Sequence, residues 1–482
     1  MMKLNLSDKR VKVFLSALAF IVLGFLPYLM SIDNSFVSDD WHFLSITANS
    51  SEPLYSYFTS NYKGGSQGGS YRPMVNVFWF SAYSLFGLNP EGYHILNIIF
   101  HTLNIFLIFL IIKNLPWFSS TKKKILAWSS CIVFAFLPNH ASAVNWISVI
   151  NDTMMTSFYL GALFSLLKAF KAGSKLYYLL SLLLLSLSIL TKEMALTFPL
   201  ISGLFICFYA VKSKTDWKNF LRKILYIVPH GLIILSFFVV RYYTIGLFLS
   251  SYKGPVYLSF AKIYRSVTSF FLSNFLIDEP RMILTGFLNI NFLASTIALC
   301  CIIFLGIIIT KNRNWSYFPW ILGLAFILSL IPVFQFNINF TPTLIYMNAE
   351  GARYAYLPSV FVAVLVGFIF AKSWVFLRSN SSQARLGLLI GFCSIVSLLG
   401  GQLLVKNFRW NTASQVAAST LSQTKEILNQ NQSDGVVLVG KPDSYRGAFI
   451  FRNGFKEALQ LTTNRKINLD KILSIWAGTV YK

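Results

Sequence analysis

The chain has 482 residues, of which 55% are hydrophobic and only 12% are charged. In soluble domains about 25% of the residues are charged. The mean hydropathy is +0.60, and apolar runs long enough to cross a bilayer recur along most of the chain. The formal net charge of +24 could suggest nucleic-acid binding, but such a footprint clusters on one soluble face. Here the basic residues are spread among connections, so the composition predicts an all-α polytopic membrane protein with no nucleic-acid partner.

The apolar runs predict about eleven transmembrane helices, since one span needs about 20 residues. The predicted spans lie near residues 13–31, 92–112, 125–140, 151–170, 176–191, 195–211, 224–243, 284–310, 317–334, 354–371 and 386–405. Basic residues mark alternate connections, for example Lys122, Lys123 and Lys124, and the positive-inside rule assigns these connections to the cytoplasm. We therefore expect a cytoplasmic N-terminus and an external C-terminus.

Two external connections are too long for simple hairpins. The first external loop, about residues 32–91, contains a Gly/Ser-rich stretch and then the aromatic segment 71–89. We interpret this segment as an interfacial or re-entrant helix, because Trp and Tyr rings suit the headgroup zone. A lateral interfacial helix is also expected within residues 244–283, where aromatic and charged residues mix.

The apolar density falls from about residue 406 onwards. The sequence there predicts a polar helix near 412–429, a short strand over 435–440 and a helix near 454–462. We therefore divide the chain into a transmembrane domain, residues 1–405, and a small external α/β domain, residues 406–482. The second domain is small enough to be only marginally stable alone.

Three aspartates lie near predicted outer ends of spans. Asp39 and Asp40 follow the first span, and Asp152 begins the fourth. A charged residue within a span costs about 2.5–3.5 kcal/mol on insertion scales, so each such residue needs a reason. Asp40 or Asp39 could simply start a helix, since Asp favours N-caps, and the same holds for Asp152. The alternative is a general base with a neighbouring acid that orients it or a cation.

Several cations also lie near the predicted outer ends of spans. Lys192 and Glu193 follow the fifth span and could neutralise one another, whereas an unpaired lysine there can hold a phosphate. Arg353 lies at the mouth of the tenth span, where its side chain could also snorkel to the interface. Arg72 is a weaker candidate of the same kind.

A polar stripe is predicted on the second span. His94, Asn97, His101 and Asn104 fall within an arc of about 80° on one helix face. Lipid offers no hydrogen bonds, so this face must look into the bundle. Interhelical hydrogen bonding is the expected role of most of the four. His94, nearest the outside, is the best candidate for a site, and His140 could join it.

Acids and cations at one membrane face suit a reaction in which a carboxylate deprotonates a hydroxyl while a phosphate departs. Polyprenyl-phosphate sugars bring phosphate to the outer face, and the cations would stabilise the leaving group. The sequence contains no P-loop, which fits a donor other than a nucleotide. No Cys/His spacing typical of a metal site occurs.

These residues resemble those of C-type glycosyltransferases (the GT-C fold), in particular the protein O-mannosyltransferase-like group that includes the transmembrane-and-TPR mannosyltransferases. The similar segments, in family order across residues 35–371, are "SDDWHF", "YRP", "GYHILNIIFHTLN", "FAFLPNHASAVNWISVINDT", "LTKEMALTFPL" and "RYAYLPSVFVAVLVG". The tail, with "KPDSYRGAFIFRNGF", resembles that of bacterial members, which lack TPRs. This resemblance implies a location in a bacterial inner membrane.

The resemblance implies roles for particular residues. It implies that Asp39 or Asp40 is the catalytic base and that Asp152 is also important. It carries the family's Lys-Glu pair to Lys192 and Glu193. The family's signature arginine corresponds to Arg353, followed by Tyr354 as a supporting residue. The chain departs from the family pattern at Leu137, Ser142, Ile150 and Ala352.

The resulting hypothesis is an inverting glycosyltransferase that uses a polyprenyl-phosphate-linked sugar at the outer face. The donor phosphate would contact Lys192, Arg353, Arg72 and His94, with Glu193 and His140 in support. The acceptor is a glycan, a lipid or a protein, and a divalent cation remains open as a cofactor. The alternatives are a transporter or flippase of a lipid-linked saccharide, and a scaffold without catalytic activity.

Overall fold

A computed structural model describes eleven stretches of the chain. They are residues 9–59, 70–213, 215–248, 259–281, 283–284, 317–334, 349–377, 382–430, 436–463, 472–476 and 479–480. Apart from its first residue, the predicted span at 284–310 lies outside the described residues. All structural statements below concern these stretches.

The described chain is mainly helical, and we number its α-helices in chain order. They are α1 (Lys9–Phe25), α2 (Asp39–Ala48), α3 (Pro73–Phe86), α4 (Pro90–Asn114), α5 (Ser120–Ala135), α6 (Ala141–Asn145), α7 (Ile150–Ala172), α8 (Lys175–Ile189), α9 (Phe198–Lys212), α10 (Trp217–Leu225), α11 (Val228–Ile245), α12 (Phe260–Leu272), α13 (Phe318–Ser329), α14 (Tyr356–Leu377), α15 (Ser382–Gln430) and α16 (Phe455–Thr462). Short 3₁₀ helices connect or extend them at Leu26–Ser31, Leu54–Phe58, Pro138–His140, Ile147–Val149, Glu193–Thr197, Ile331–Val333 and Ala349–Ala355.

Seven described helices are long and apolar enough to cross a membrane. They are Arg10–Ser31, Pro90–Asn114, Ile147–Ala172, Glu193–Val211, Trp217–Ile245, Gly351–Leu377 and Ser382–Gln430. The pair Ser120–Ala135 and Pro138–Asn145, bent by 51°, gives an eighth candidate, and Lys175–Ile189 and Phe318–Val333 are shorter apolar helices. Ten of the eleven predicted spans therefore coincide with apolar helices in the described residues. The chain is an integral, multi-pass, all-α membrane protein, as predicted.

The polar stripe of α4 faces the centre of the bundle, as predicted from its spacing. The Asn97 amide donates hydrogen bonds to the carbonyls of Ala143 and Val144, both at 2.9 Å. The rings of His101 and Tyr356 are joined by a 2.7 Å hydrogen bond between Nδ1 and the hydroxyl. These bonds tie α4 to α6 and α14 where no water competes for the polar groups.

Helix α3 does not reach the length of a span. It has 14 residues, begins at Pro73 and ends at Phe86, and the next residue, Gly87, has a φ of +54° that favours glycine. The Met74 amide donates to the Leu190 carbonyl at 3.2 Å, so α3 begins beside the end of α8. A short helix that packs across the ends of the spans agrees with the non-spanning helix expected in the first external loop.

The predicted domain boundary at 405/406 falls inside one continuous helix, and the division into two domains stays a prediction. Helix α15 runs for 49 residues and joins the eleventh span to the predicted polar helix. Its buried residues from Trp410 onwards follow helical spacing: Trp410, Ala413, Ser414, Ala417, Leu421, Thr424 and Leu428. The helix continues because this face remains covered by other elements after the hydropathy falls.

The tail beyond α15 contains short strands and one helix. Strand β1 (Val436–Lys441) pairs in parallel with β4 (Ile472–Trp476). Strand β2 (Ser444–Tyr445) pairs with β3 (Ala448–Phe449) in an antiparallel ladder and with β5 (Thr479–Val480) in a parallel one. The predicted strand and helix correspond to β1 and α16.

The tail packs against the first external loop. The Ser38 amide donates to the Ile450 carbonyl at 2.7 Å, and His42 Nδ1 lies 3.3 Å from Glu457 Oε1. Gly454 has a φ of +80°, and a Cβ atom there would come within 2.2 Å of the Ser38 carbonyl oxygen. Only glycine allows this approach. Because Ser38 and His42 flank Asp39, these contacts place the tail and Asp39 at the same end of the bundle.

Candidate active site

Asp40 joins the first external loop to the second. Its carboxylate accepts hydrogen bonds from the backbone amides of Val37 at 3.0 Å and Ser148 at 2.7 Å, and also from the Ser148 hydroxyl. The side chain is buried, with 1% of its surface exposed. Burial raises the pKa of Asp40 to about 7, although the hydrogen bonds from Ser148 and Val37 oppose this shift. Asp40 therefore fixes the position of the Ile147–Val149 turn.

Asp39 has different surroundings from its neighbour. It is partly exposed, and its Oδ1 accepts a 2.7 Å hydrogen bond from the Asn453 amide in the tail. Both aspartates belong to the first turn of α2, where a negative charge is favoured by the helix dipole. Of the two, Asp39 is the carboxylate that solvent or a substrate can reach.

Asp152 and Lys192 form a buried ion pair. Asp152 lies in the first turn of α7, and Lys192 precedes the 3₁₀ helix Glu193–Thr197. Lys192 Nζ lies 2.5 Å from Asp152 Oδ1, while Asp152 Oδ2 has no hydrogen-bond partner within the described residues. Burial lowers the pKa of Lys192 to about 8; Asp152 opposes this shift, and Arg72 and Arg353 add to it. Lys192 therefore loses its proton near pH 8 instead of near its usual 10.5.

Glu193 does not pair with Lys192, contrary to the simplest expectation. It accepts hydrogen bonds from Arg72 Nε at 2.9 Å and Nη2 at 2.6 Å, and it lies 3.2 Å from Arg241 Nη1. Lys192 has extended backbone angles, φ −160° and ψ 143°, and successive side chains of extended backbone point in opposite directions. Lys192 and Glu193 therefore face different partners.

Arg353 is packed among aromatic rings. Its guanidinium carbon lies 5.1 Å from the Trp146 ring centroid and 4.8 Å from that of Tyr354. The Lys192 ammonium also lies 4.9 Å from the Tyr354 ring. Tyr354 is therefore shared by two cations, and cation–π attraction holds both near one point.

These contacts define one group of charges, here called the Lys192 cluster: Arg72, Asp152, Lys192, Glu193, Arg241 and Arg353. The cluster contains four cations and two carboxylates, and a net positive site attracts phosphate. The loop from Trp146 to Asp152 links it to the paired aspartates. Trp146 contacts Arg353, Ser148 binds Asp40, and Asp152 binds Lys192.

His94 and His140 form hydrogen bonds with residues outside the Lys192 cluster, and their predicted part in the site stays a prediction. His94 Nε2 lies 3.0 Å from the Asn34 carbonyl, and His140 Nε2 lies 2.8 Å from the Ser359 hydroxyl. Both side chains are buried, with 1% and 0% exposure. His140 also packs against the rings of His101 and Tyr356, which places it in the core of the bundle.

Three residues of this region were not singled out from the sequence. Arg241 is buried and pairs with Glu193, and its position at the end of an apolar run is a signal that could have identified it. Ser148 and Trp146 carry no comparable signal, because small hydroxyl and aromatic residues are common in such loops. Their contacts depend on the packing of distant segments.

The bundle and its charged end define a membrane protein of the GT-C fold. ArnT from Cupriavidus metallidurans, in a crystal structure of its apo state, superimposes with a TM-score of 0.50 at 13% identity, over 96% of this chain and 90% of that one. At this identity the similarity shows the fold alone. No family model matches the chain.

Two curated proteins are similar in sequence to part of the chain. A protein O-mannosyl-transferase of Caenorhabditis elegans is 31% identical over 222 residues, 44% of this chain and 31% of that protein. Protein O-mannosyl-transferase Tmtc1 of Drosophila melanogaster is 29% identical over 192 residues, 38% of this chain and 21% of that protein. The predicted resemblance to O-mannosyltransferases is thus confirmed. The matched region spans less than a third of the length of these relatives.

Proposed function

We propose that this protein is an inverting glycosyltransferase that moves a sugar from a polyprenyl-phosphate donor to an acceptor hydroxyl. The observation that carries the proposal is the loop from Trp146 to Asp152. It connects the Asp39–Asp40 pair with the net positive Lys192 cluster at one end of the bundle. The sequence similarity to proteins named O-mannosyl-transferases supports mannose as the first sugar to test.

Asp39 is the proposed general base, because it is partly exposed while Asp40 is occupied by three hydrogen bonds. The base takes the proton of the acceptor hydroxyl as its oxygen bonds to the anomeric carbon. The bond between that carbon and the phosphate oxygen breaks at the same time, and polyprenyl phosphate leaves with the electron pair. Attack from the side opposite the leaving group inverts the anomeric centre.

Lys192, Arg353 and Arg72 are proposed to hold the donor phosphate. A departing phosphate gains negative charge, and preorganised cations stabilise that charge most effectively where water is excluded. Asp152 holds the Lys192 ammonium in place, and Glu193 does the same for the Arg72 guanidinium. The two carboxylates therefore position cations and take no part in proton transfer.

We place this end of the bundle outside the cytoplasm. Asp152 and Lys171 lie in the first and last turns of α7 and are 19 residues apart, which corresponds to about 29 Å along a helix. Lys123 is repelled by Lys171 and Lys113, so these three basic residues lie near one another at the other end. The positive-inside rule assigns that end to the cytoplasm. The tail is then external, and we propose that a small external domain begins after α15.

The proposal is tested with the purified full chain in lipid nanodiscs and polyprenyl-phosphate mannose, with serine- and threonine-containing peptides and glycans as acceptors. Release of polyprenyl phosphate is measured for wild type, Asp39→Asn and the matched control Asp33→Asn. Asp33 is an exposed acid of the same loop. Loss of a general base slows a reaction by about 10²- to 10⁴-fold, so Asp39→Asn should lose turnover while Asp33→Asn keeps it.

Equal turnover of Asp39→Asn and wild type would remove Asp39 from the role of base. If the wild-type protein cleaves none of the donors, a transport assay replaces the turnover assay. In that assay, movement of a fluorescent lipid-linked saccharide across the bilayer of proteoliposomes is measured. Movement across the bilayer without cleavage would then identify a transporter.

A further inference from the structure

Asp39, the proposed general base, belongs to a tight turn of the first external loop. The Asp40 amide donates a 3.1 Å hydrogen bond to the Val37 carbonyl, which closes a β-turn over residues 37–40. Ser38, the second residue of this turn, has a φ of +47° and a ψ of −121°. These angles are those of the second residue of a type II′ turn, where glycine usually occurs. The direction of Asp39 therefore depends on a strained backbone at Ser38.

The C-terminal tail holds Ser38 in this conformation. The Ser38 amide donates to the Ile450 carbonyl at 2.7 Å, and the backbone nitrogen of Asn453 lies 3.4 Å from the Ser38 hydroxyl oxygen. Gly454 packs so closely on the Ser38 carbonyl oxygen that no Cβ atom fits between them. A strained conformation persists only where the surrounding structure holds it, and the tail supplies these contacts.

Asn453 also contacts the carboxylate of the proposed base. Its side-chain Nδ2 donates a 2.7 Å hydrogen bond to Asp39 Oδ1. The amide is neutral, so it orients the carboxylate without forming an ion pair. Asp39 remains partly exposed, so a carboxylate held in this way can still take a proton from an acceptor.

The same tail reaches the loop that carries the donor cations. The Phe449 ring packs edge-on against the Trp146 ring, with 5.0 Å between the centroids. Trp146 in turn contacts the Arg353 guanidinium. The tail therefore touches both halves of the proposed site, the base and the phosphate-binding residues.

We propose that Asn453 is a positioning residue for Asp39 and that the tail segment 450–454 completes the active site. The inference rests on the proposed function, because it requires Asp39 to take the proton of the acceptor hydroxyl. A general base must lie within hydrogen-bond reach of that proton, and a misplacement of about 1 Å costs about 100-fold in rate. In the segment "RNGF", Asn453 orients the base and Gly454 allows the close approach to Ser38.

The test compares kcat and KM for the polyprenyl-phosphate donor in the full chain, in lipid nanodiscs at saturating acceptor. Asn453→Asp exchanges the amide for a carboxylate of the same size at an exposed position, so the fold should be kept. The new charge repels Asp39, and kcat should fall about tenfold or more. KM for the donor should stay the same, because the Lys192 cluster is unchanged.

The pH profile provides a readout that a purely structural role would not change. Two carboxylates at hydrogen-bond distance disfavour each other's ionisation, so the acidic limb of kcat/KM should move to higher pH in Asn453→Asp. The charged groups beside Asp39 are Asp40 and His42, with Glu457 paired to His42. These groups are present in every variant, so their titration is common to all the profiles.

Two further variants serve as a rescue and a matched control. Asn453→Gln keeps the amide donor and should retain kcat within about threefold of wild type. Gln460→Glu makes the same change from amide to carboxylate at an exposed position of α16, and its kcat and pH profile should match wild type. An unchanged kcat in Asn453→Asp, or an equal loss in Gln460→Glu, would overturn the proposal.

Hydrogen exchange of the Ser38 amide tests the tail contact without any turnover. Gly454→Ala should push the tail away from Ser38 and raise this exchange rate about tenfold or more. An unchanged rate would show that the tail does not hold the turn. Turnover that is lost in Asp39→Asn but kept in Asn453→Asp would overturn this inference alone. Turnover that is kept in Asp39→Asn would overturn the proposed base itself.

Discussion

The Lys192 cluster and a second charged group use similar residues in different ways. This second group, the Lys406 cluster, consists of Asp278, Glu279, Arg281, Lys406 and Arg409. The Lys192 cluster collects its charges from five separate places: Arg72 before α3, Asp152 on α7, Lys192 and Glu193 after α8, Arg241 on α11 and Arg353 before α14. The Lys406 cluster draws on two short segments, 278–281 and 406–409. In the first cluster the cations bind two different carboxylates, Asp152 and Glu193, whereas in the second they join one helix to its neighbour.

The two clusters also differ in how many cations neutralise each carboxylate. Asp152 depends on one lysine for its ion pair, while Asp278 is shared among three cations. Breaking a buried pair is costly when the remaining charge has no other partner. The Lys192 cluster should therefore be sensitive to single substitutions, and the Lys406 cluster should be tolerant. The cluster that is proposed to hold the donor phosphate thus differs from the one whose charges join two segments of the fold.

The largest effect is expected for Lys192→Met. The substitution leaves the buried Asp152 carboxylate without its ion pair, which costs about 3–5 kcal/mol of unfolding free energy. It should also lower kcat/KM for the donor by about 100-fold, because a cation at the leaving phosphate is lost. Chemical unfolding in mixed micelles and donor turnover measure the two quantities.

A double variant separates these two effects. Asp152→Asn combined with Lys192→Met removes both charges, so most of the stability should return while turnover remains low. If the double variant regained turnover, Lys192 would have no role at the phosphate. If it stayed as unstable as Lys192→Met, packing of the lysine stem would explain the loss.

A smaller loss is expected for Arg281→Met in the Lys406 cluster. Asp278 keeps Lys406 and Arg409 as partners, so the unfolding free energy should fall by about 1.5–3 kcal/mol, as for one hydrogen bond to a charged group. Turnover should stay at the wild-type level. A fall in the unfolding free energy equal to that of Lys192→Met would show that both clusters depend equally on each cation.

The spans were predictable because hydropathy is a local property. The unbroken course of α15 past residue 405 was not, because the helix continues beyond the fall in hydropathy where a covered face from Trp410 onwards supports it. That cover comes from other parts of the chain, including the tail. The stripe on α4 was predictable from helical spacing, but the depth at which His94 lies was not.

The candidate site was predictable in part for similar reasons. Sequence motifs selected Asp39, Asp40, Asp152, Lys192 and Arg353, all of which lie at one end of the bundle. Their pairing could not be predicted, since sequence neighbours were expected to pair. An extended backbone at residue 192 separates the two side chains, and long-range packing brings Asp152 to the lysine.

The pH dependence of kcat/KM for the donor tests the role of Lys192 in the Lys192 cluster. Burial lowers the pKa of Lys192 to about 8 from its usual 10.5, so Lys192 is charged below pH 8 and neutral above it. We expect kcat/KM for the donor to fall about tenfold per pH unit above 8. In the Lys192→Arg variant this inflection should be absent, because arginine stays protonated. An unchanged inflection in that variant would assign the titration to another group.

Stability should change with pH in the opposite direction. The folded chain releases the Lys192 proton near pH 8, and the unfolded chain releases it near 10.5. Between these values the unfolded state binds more protons, so the contribution of Lys192 to the unfolding free energy rises with pH. Lys192→Arg should lack this rise. Turnover and stability that fell together above pH 8 would contradict the assignment.

The smallest effect is expected for Arg353→Lys. The lysine keeps the positive charge but loses the planar contacts with the Trp146 and Tyr354 rings. A cation–π contact of this kind is worth about 1 kcal/mol, so KM for the donor should rise about fivefold while kcat changes little. Arg353→Gln, which also removes the charge, should raise KM further. Equal effects of the two substitutions would show that the charge of Arg353 contributes nothing to donor binding and that its stacking alone matters.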